Sequence, residues 1–331
     1  MEGLFPPFPP LPFFYYARTH ENSRRWPVTI GTASRFQVFR AELRRAEVRW
    51  AYILILPAVI PLLIFTVLPV LGAIGLSFTR FDAFYATMDW NGIKNYADAF
   101  GNDLFHTTIR NTLQFTVGFV PLSMAFGFAA AILLNRRIRG ISFLRGAYYL
   151  PVLTSTIAMG IAWMWLFQPQ VGLVSLLLKL VGITPKDWLN SPFTAMPAVI
   201  GVAVWKAFGG TMLIYLAGLQ GIPETFYDAA KVDGCGRFQL LRFITWPLLR
   251  PVTFYLFIIG MIDSLQVFDL VMIMTEGGPA FRTTTIVHQI YLNAFKFNQM
   301  GYASAMAVLL FIAIAVLTYF NWKFFSSSLE Y

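Results

Sequence analysis

Three polar residues interrupt one of the apolar stretches of this sequence at helical spacing. Asp263, Gln266 and Asp269 lie at positions i, i+3 and i+6 within residues 251–275. In one continuous helix they would cover about 120° of the surface, with Gln266 in the middle. Carboxylates accept hydrogen bonds, and an amide both donates and accepts them, so this face suits a ligand rich in hydroxyl groups, such as a sugar.

Two adjacent residues in another apolar stretch add complementary groups. Trp205 supplies an aromatic ring for stacking, and Lys206 is the one charged residue between positions 191 and 223. Because a charge at the centre of a membrane helix costs about 2.5–3.5 kcal/mol on insertion scales, such groups are expected to face protein or water. We therefore predict a solute path lined by the three polar residues near Trp205, with Lys206 as a donor. The alternative is an ion pair between Lys206 and Asp263 or Asp269 that only fixes helix packing.

The composition indicates that lipid surrounds most of this chain. Of its 331 residues, 57% are hydrophobic and 12% are charged, against roughly 45–50% and about 25% in globular proteins. This excludes a disordered chain and disfavours a soluble enzyme, which would need more charged surface. The single cysteine, Cys235, excludes an intrachain disulfide and a Cys-x-x-Cys redox pair.

Six apolar stretches are long enough to cross a bilayer as helices, which takes roughly 20 residues each. They are residues 51–79, 111–135, 146–178, 191–223, 251–275 and 299–322, the third being a span with part of a loop. None shows the alternation of polar and apolar residues that is typical of barrel strands. The sequence therefore predicts an all-α polytopic membrane protein with six transmembrane helices.

The basic residues predict the orientation of these spans. Seventeen of the 25 Lys and Arg residues fall on the side that holds both termini, and seven fall on the other side. By the positive-inside rule, both termini lie in the cytoplasm (N-in, C-in). No nucleic-acid-binding motif accompanies the positive charge, so it is expected to serve topology.

The predicted domains follow the spans. Residues 1–50 form a cytoplasmic segment, with a Pro-rich disordered leader at residues 1–17 and an amphipathic basic helix on the inner leaflet over residues 36–50. A solvated basic helix that only anchors the topology is the alternative for the latter. Residues 51–325 form the six-helix domain, and residues 326–331 form a short tail.

The loop at residues 221–247 has the pattern of two short helices joined at a glycine corner. Pro223 suits the first turn of a helix and Glu224 its positive end, whereas Gly234 allows the left-handed conformation that ends it. A second helix is expected to end at Pro247. Such a pair could enter a groove of a cytoplasmic partner, or it could pack on its own bundle. The predicted contact residues are Phe226, Ala229, Ala230, Phe238 and Leu241.

The same loop resembles a family motif. Asp228-Ala-Ala, then Gly234 after three residues and Ile244-Thr-Trp-Pro after nine more, are similar to the Glu-Ala-Ala-x3-Gly-x9-Ile-x-Leu-Pro loop of ABC importer permeases. Asp228, Cys235 and Trp246 stand where the family usually has Glu, Ala and Leu. Asp228 keeps the negative charge of the motif with a shorter reach.

Other short segments resemble the carbohydrate-uptake branch of this family. The resemblance extends over roughly residues 50–325 and implies the fold of a type I importer permease in the cytoplasmic (inner) membrane of a bacterium or archaeon. The segments are Trp90-Asn-Gly-Ile-Lys-Asn-Tyr96, Asn111-Thr112, Leu133-Leu-Asn135, Tyr149-Leu-Pro151, Leu216-Ala-Gly-Leu-Gln-Gly-Ile-Pro223, Phe268-Asp269, and Thr275-Glu-Gly-Gly-Pro279 with Thr283.

The resemblance implies a function and a set of partners. The chain would be the permease subunit of an ATP-driven importer of a sugar or sugar derivative, which an extracytoplasmic solute-binding protein delivers. It would pair with a second permease and two ATPase subunits, and ATP and Mg would bind to the ATPase rather than to this chain. A glycerol phosphate or other polyol importer is the alternative within the class. The loop residues implied to dock on the ATPase are Asp228, Ala229, Ala230, Gly234 and Pro247.

Catalytic motifs are absent from the sequence. There is no Gly-x4-Gly-Lys-[Ser/Thr] phosphate loop, nucleophile elbow or His-Glu-x-x-His motif, so the chain is not expected to be an enzyme. His20, His106 and His288 are far apart and are expected at the surface or rim, and no metal site is predicted. An ion-coupled or energy-independent secondary transporter is the competing class. It would not require the loop motif, and the two halves of the chain show no obvious internal repeat.

Overall fold

The computed structural model describes residues 46–82, 87–136, 138–182 and 187–326. The chain divides into two units, Met1–Leu63 and Ile64–Tyr331. The described part of the first unit is helix α1, Ala46–Leu62, which continues into a π-helical turn at Leu63–Val67. The predicted leader, most of the predicted amphipathic helix, His20 and the tail from residue 327 lie outside the described residues.

The second unit is almost entirely helical. After α2 (Leu68–Ser77) come two short strands, β1 (Thr79–Asp82) and β2 (Thr87–Trp90). The next helices are α3 (Lys94–Phe100), α4 (Asp103–Leu134), α5 (Ile141–Leu153), α6 (Thr156–Leu166), α7 (Leu173–Leu180) and α8 (Ala195–Gln220). They are followed by α9 (Glu224–Val232), α10 (Arg237–Leu240), a π turn (Leu241–Thr245), α11 (Trp246–Leu248), α12 (Arg250–Leu265) and α13 (Asp269–Met274). The last elements are α14 (Ile286–Tyr291), a π turn (Leu292–Lys296) and α15 (Met300–Ser326).

The described helices confirm the polytopic α-helical fold. Four of them are long and apolar enough to cross a membrane, and two bent pairs bring the number of spans to six if each pair is one span. The four are Trp50–Ser77, Asp103–Leu134, Ala195–Gln220 and Met300–Lys323; the pairs are Ile141–Leu153 with Thr156–Leu166 and Arg237–Leu248 with Arg250–Leu265. These six places correspond to the six predicted stretches.

The second and third spans begin earlier than predicted. Helix α4 starts at Asp103 rather than residue 111, because the side chain of Asn102 caps it by accepting a hydrogen bond from the N–H of Leu104 at 2.9 Å. The third span starts at Ile141 rather than residue 146, and the chain bends by 97° between α5 and α6. This bend becomes part of the candidate site below.

The fifth span is broken, contrary to the prediction of one continuous helix. Helix α12 ends at Leu265, and α13 begins at Asp269. The hydroxyl of Thr285 donates to the carbonyl oxygen of Val267 at 2.9 Å. The break is therefore tolerated because a distant side chain satisfies a backbone acceptor that would otherwise lack a partner in the membrane.

Helix α8 forms the centre of the hydrophobic core. Apart from Lys206 it has no polar face, as is typical of a helix buried by several neighbours. Its first half packs with Phe115 of α4, Met159 of α6 and Val271 of α13, and its second half packs with Leu249 and Leu256. Residues in the middle of α8 are thus held against several other spans.

A β-hairpin follows the first span, where the sequence predicts only a loop. The two strands are antiparallel, with Thr79 opposite Trp90. The side-chain amide of Asn95 donates to the carbonyl oxygens of Ser77 and Thr79, both at 2.8 Å, and so ties α3 to the base of the hairpin. Strands of four residues give little signal in a sequence, particularly when one of them is exposed along its whole length.

Candidate functional site

One cavity of 540 Å³ contains four of the residues predicted for the solute path. Lys206, Asp263, Gln266 and Asp269 all line it, together with mainly apolar residues from α4, α5, α6, α8, α12 and α13. Its volume lies in the range of about 300–1,000 Å³ that is common for small-molecule sites. A mostly apolar wall with a few polar groups gives orientation to a ligand that enters it.

The break in the fifth span changes how these side chains reach the cavity. Gln266 is the residue that caps the end of α12, and Asp269 lies in the first turn of α13. Their positions come from two segments rather than from one helix face. All three polar residues, Asp263 included, still line the same space, which offers carboxylate acceptors and an amide to a ligand.

Lys206 does not form the predicted alternative ion pair. Its ammonium group donates to the carbonyl oxygen of Thr154 at 2.8 Å, at the bend between α5 and α6. Among the described residues, no salt bridge joins Lys206 to Asp263 or Asp269. The cavity therefore keeps its two carboxylates free of a cationic partner within the part of the chain that is described.

Trp205 lies in a different cavity from the other four predicted residues. It lines an apolar cavity of 480 Å³ with residues of α4, α5 and α8, among them Phe126 and Tyr148. Its ring meets that of Trp163 edge to face, with centroids 5.4 Å apart. The predicted position is thereby corrected, and the reason is geometric: successive residues of a helix point about 100° apart, so Trp205 and Lys206 face different neighbours.

The cytoplasmic loop folds as two helical segments joined at Gly234, as its pattern predicts. Helix α9 ends there with Gly234 in the left-handed conformation, φ 79°. The N–H of Gly234 donates to the carbonyl of Lys231 at 3.0 Å, and the N–H of Cys235 donates to that of Ala230 at 2.9 Å. These bonds satisfy carbonyls that the end of α9 leaves without helical partners.

The loop presents exposed aromatic side chains among charged residues. Phe226 and Phe238 are 48% and 72% exposed, and Ala229 is also exposed. Ala230 differs from the predicted surface, since it is buried within this chain. The carboxylate of Asp228 pairs with the ammonium of Lys231 at 2.9 Å, a contact that contributes little because both groups are exposed.

Pro247 does not end the second segment where the sequence predicts. Helical structure continues through Pro247 to Leu248, and the bend of 64° into α12 follows. The preceding π turn accounts for this, because the N–H of Trp246 reaches back to the carbonyl of Leu241 and Pro247 occupies the start of a short new helix. Trp246 packs edge to face on Phe128 of α4 at 5.4 Å, which gives its departure from the motif a packing role.

A cluster of hydrogen bonds ties the loop after α13 to the second span. The side-chain amide of Asn111 donates to the carbonyls of Phe281 and Thr284 at 2.7 and 2.9 Å. The Thr112 hydroxyl accepts from the N–H of Ile286 at 3.1 Å. We call these hydrogen bonds the clamp at Asn111. The sequence shows that Asn111-Thr112 and the segment 275–283 each resemble the family, but not that the two segments meet.

His288 is buried, which corrects the prediction that it lies at the surface or rim. It is 1% exposed, and within the described part of the chain neither of its ring nitrogens has a hydrogen-bond partner. His288 lies outside the six spans, and burial lowers the pKa of its imidazole; nearby Lys296 lowers this pKa further and Glu276 raises it. His106, by contrast, is exposed and hydrogen-bonds the carbonyl of Phe100.

A comparison with known families decides the membership of the chain. A family model described as "Binding-protein-dependent transport system inner membrane component" matches residues 123–330. The chain belongs to this family. The matched region of this inner membrane permease includes the loop at residues 221–247 and the residues that line the polar cavity, except Phe115 and Phe119.

Curated relatives cover nearly the whole permease. The trehalose/maltose transport system permease protein MalF of Thermococcus litoralis is 32% identical over 84% of this chain and 94% of its own length. The sn-glycerol-3-phosphate transport system permease protein UgpA of Agrobacterium fabrum is 29% identical over 85% of this chain and 96% of its own length. Their names span neutral sugars and a phosphorylated polyol.

A solved structure shows the same fold. The permease matches a chain of a bacterial ABC transporter involved in the import of the acidic polysaccharide alginate, with a TM-score of 0.76 and 23% sequence identity. The match covers 88% of this chain and 100% of that chain. The likeness shows that the two chains share a fold.

Proposed function

We propose that this permease is the membrane-spanning subunit of an ATP-driven importer that carries a neutral sugar or sugar derivative. The observation that carries the proposal is the single cavity in which Asp263, Gln266 and Asp269 come together against an apolar wall. Acceptors and an amide on one side suit hydroxyl groups, while the apolar wall suits the C–H faces of a sugar ring. Relatives named for trehalose/maltose and xylose/arabinose transport support this choice.

A glycerol phosphate importer is the less favoured member of the same class. An anionic substrate needs cationic partners, and Lys206 is the one cationic residue that lines the cavity among the described residues. Its ammonium group already donates to Thr154, and the two carboxylates of the cavity would repel a phosphate. The charge of the cavity therefore favours a neutral substrate, although a relative is named for sn-glycerol-3-phosphate.

The partners of this permease follow from its family and from its exposed cytoplasmic loop. An extracytoplasmic binding protein would deliver the sugar, a second permease would complete the walls of the path, and two ATPase subunits would bind at the cytoplasmic face. Phe226 and Phe238 would anchor the loop in a groove of the ATPase, since large exposed aromatic side chains dominate the energy of many interfaces. Catalysis would reside on the ATPase, where ATP and Mg bind, and not on this chain.

The loop provides a route by which ATP hydrolysis on the ATPase subunits would move this chain. Helices α9 and α10 meet at the rigid corner of Gly234, and the second segment continues into α12, which carries Asp263. A pull on the loop would therefore be transmitted to a wall of the cavity. This geometry supports a cycle in which the spans rock between inward-open and outward-open states.

Transport by reconstituted vesicles tests the proposal. The permease would be assembled with its partner permease, ATPase and binding protein, and uptake of radiolabelled maltose, trehalose, xylose and glycerol 3-phosphate would be measured with and without ATP. We expect at least one neutral sugar to accumulate only when ATP and the binding protein are both present. Preferential uptake of glycerol 3-phosphate would favour the polyol alternative, and uptake driven by an ion gradient without ATP would identify a secondary transporter.

Variants of the loop test the proposed contact with the ATPase in the same preparation. Phe226→Ala and Phe238→Ala should weaken association with the ATPase while leaving thermal unfolding unchanged, because both rings are exposed. Phe193→Ala removes another ring, 87% exposed, from the loop before α8 and should leave association intact. Unchanged association in all three variants would contradict the docking role of the loop.

A further inference from the structure

A second polar cavity lies apart from the proposed solute path. Its volume is 550 Å³, and the hairpin, α3 and the turn before α15 form its walls. It shares no lining residue with the path cavity. The predicted N-in orientation places it on the extracytoplasmic side of the membrane.

One wall of this outer cavity is rigidly built. The buried Asn95 amide bridges two carbonyls at the base of the hairpin, and the hydroxyls of Tyr96 and Ser77 hydrogen-bond at 2.6 Å. A Cβ atom at Gly301 would collide with the carbonyl oxygen of Thr79, so glycine lets α15 approach the hairpin closely. The wall is thus held in place by interactions that leave other side chains free for a ligand.

The opposite wall has an irregular backbone that directs more polar groups at the cavity. A π turn at Leu292–Lys296 precedes Asn298, which adopts φ 56°. The N–H of Gln299 donates to the carbonyl of Asn293 at 2.8 Å, and the side chain of Asn293 donates to the carbonyl of Gln289 at 2.8 Å. Both π turns and left-handed non-glycine residues occur preferentially at functional sites.

The free groups of the cavity define its chemistry. Among the described residues, the side chains of Lys94, Asp98, Asn298 and Gln299 make no hydrogen bond or ion pair, although all of them line the cavity. With Arg80, which also lines the cavity, they present donors and acceptors together, with two positive charges and one negative charge. The ring of Tyr302 adds an aromatic surface. Donors and acceptors in this number, beside an aromatic ring, match the vicinal hydroxyls and the C–H face of a sugar ring.

We propose that this outer cavity is a second carbohydrate-binding site, which takes one or two neutral sugar rings from the extracytoplasmic side. The inference rests on the proposed sugar-transport function. It assigns to the segment Trp90-Asn-Gly-Ile-Lys-Asn-Tyr96 a role in ligand binding outside the membrane path. A volume of 550 Å³ lies in the range of small-molecule sites, whereas protein interfaces are usually flatter and larger.

Saturation-transfer NMR on the full-length permease in lipid nanodiscs tests this site, with maltose, trehalose, xylose and glycerol 3-phosphate as separate probes. The path would first be weakened with Asp263→Asn and Gln266→Ala. We expect transfer to at least one neutral sugar to persist in that background and to fall at least fivefold when Asp98→Asn and Gln299→Ala are added. Both added changes affect exposed side chains and should leave thermal unfolding within about 0.5 kcal/mol.

The same experiment has outcomes that overturn the proposal. Transfer that is absent for every sugar, or that is unaffected by Asp98→Asn and Gln299→Ala, would exclude a sugar site in this cavity. If these two changes instead weakened association with the binding protein and left transfer intact, the cavity would be a protein contact. ATP-driven uptake in vesicles distinguishes failure of the outer site from failure of the proposed function. If a neutral sugar is taken up but gives no saturation transfer from the outer cavity, only the outer site is overturned. If no neutral sugar is taken up, the proposed function is overturned.

Discussion

The ammonium nitrogen of Lys206 lies 2.8 Å from the carbonyl oxygen of Thr154, at the corner where α5 turns through 97° into α6. This contact joins the central helix of the core to the bend of the third span. It also leaves Asp263 and Asp269 without a cationic partner among the described residues. The polar face of the cavity is therefore available to a substrate rather than used up in packing.

The hydrogen bond from Lys206 to Thr154 predicts how a double variant behaves. Lys206→Met should lower sugar uptake several-fold, because the carbonyl of Thr154 loses its donor, and Lys206→Arg should retain most of the uptake. If Lys206 instead formed an ion pair with Asp263, Lys206→Met would leave the carboxylate of Asp263 buried without a partner. Adding Asp263→Asn would then remove that charge and restore uptake. We expect no such rescue. Sugar uptake per folded permease in vesicles would be compared between the single and the double variant. Recovery of the double variant to the wild-type rate would contradict the role given to the hydrogen bond between Lys206 and Thr154.

The corner at Gly234 predicts a purely conformational effect. No atom lies within 4 Å of a Cβ built there, so Gly234→Ala is disfavoured only by its φ of 79°. The backbone cost of about 1–2 kcal/mol should weaken association with the ATPase by about 5–30-fold. Gly236, with φ −72°, provides the matched control.

A binding titration against the ATPase would compare three variants at the corner. Gly236→Ala should bind like the wild type, and Gly234→Asn should bind better than Gly234→Ala because Asn tolerates the left-handed region. Equal affinities of Gly234→Ala and Gly236→Ala would show that the corner does not set the docking geometry.

The clamp at Asn111 predicts a large loss of stability. Asn111→Leu would leave the carbonyls of Phe281 and Thr284 without their donor, at about 1–3 kcal/mol for the buried bond to Thr284 and less for the partly buried bond to Phe281. Asn190→Leu, at an exposed position before α8, is the control and should change stability by no more than about 0.5 kcal/mol. Thermal unfolding in detergent measures both. Similar melting temperatures for the two variants would mean that the clamp does not stabilise the fold.

Burial of His288 predicts that the permease loses stability in acid. Burial lowers the pKa of this imidazole in the folded state, so below about pH 6.5, the ordinary value for His, the unfolded state binds the proton more readily. The free energy of unfolding should therefore be highest above that pH and should fall as the pH decreases towards the lowered pKa. His288→Gln should show a smaller difference in melting temperature between pH 7.5 and pH 5.5. A pH dependence identical to that of the wild type would assign the acid sensitivity to other groups.

Residue type predicted the site better than residue position did. Lys206, Asp263, Gln266 and Asp269 are polar in apolar stretches, and the cost of such groups in lipid predicts that they face a shared space. The Gly234 corner was also predictable, because glycine is the residue that adopts its φ without strain. Trp205 was assigned to the same space from adjacency alone, which the rotation of a helix contradicts.

Long-range contacts account for what the sequence did not predict. The break after Leu265 contains neither proline nor glycine, and the side chain that supports it, Thr285, lies far along the chain. The burial of His288 likewise depends on how the loop after α13 folds back on the second span. The hairpin was missed because its strands are too short for a periodic signal.

Uptake of sugar by vesicles that carry Asp263→Asn with Gln266→Ala tests the central claim most directly. ATP hydrolysis by the assembled importer would be recorded in the same samples, and Trp205→Ala, which alters the separate apolar cavity, would be the control. Since each hydrogen bond to a ligand contributes about 0.5–1.5 kcal/mol, the double variant is predicted to lose about tenfold or more of its uptake at low sugar concentration. Trp205→Ala is predicted to retain uptake, and both are predicted to retain ATPase association. Wild-type uptake by the double variant would contradict the claim that this polar face lines the path.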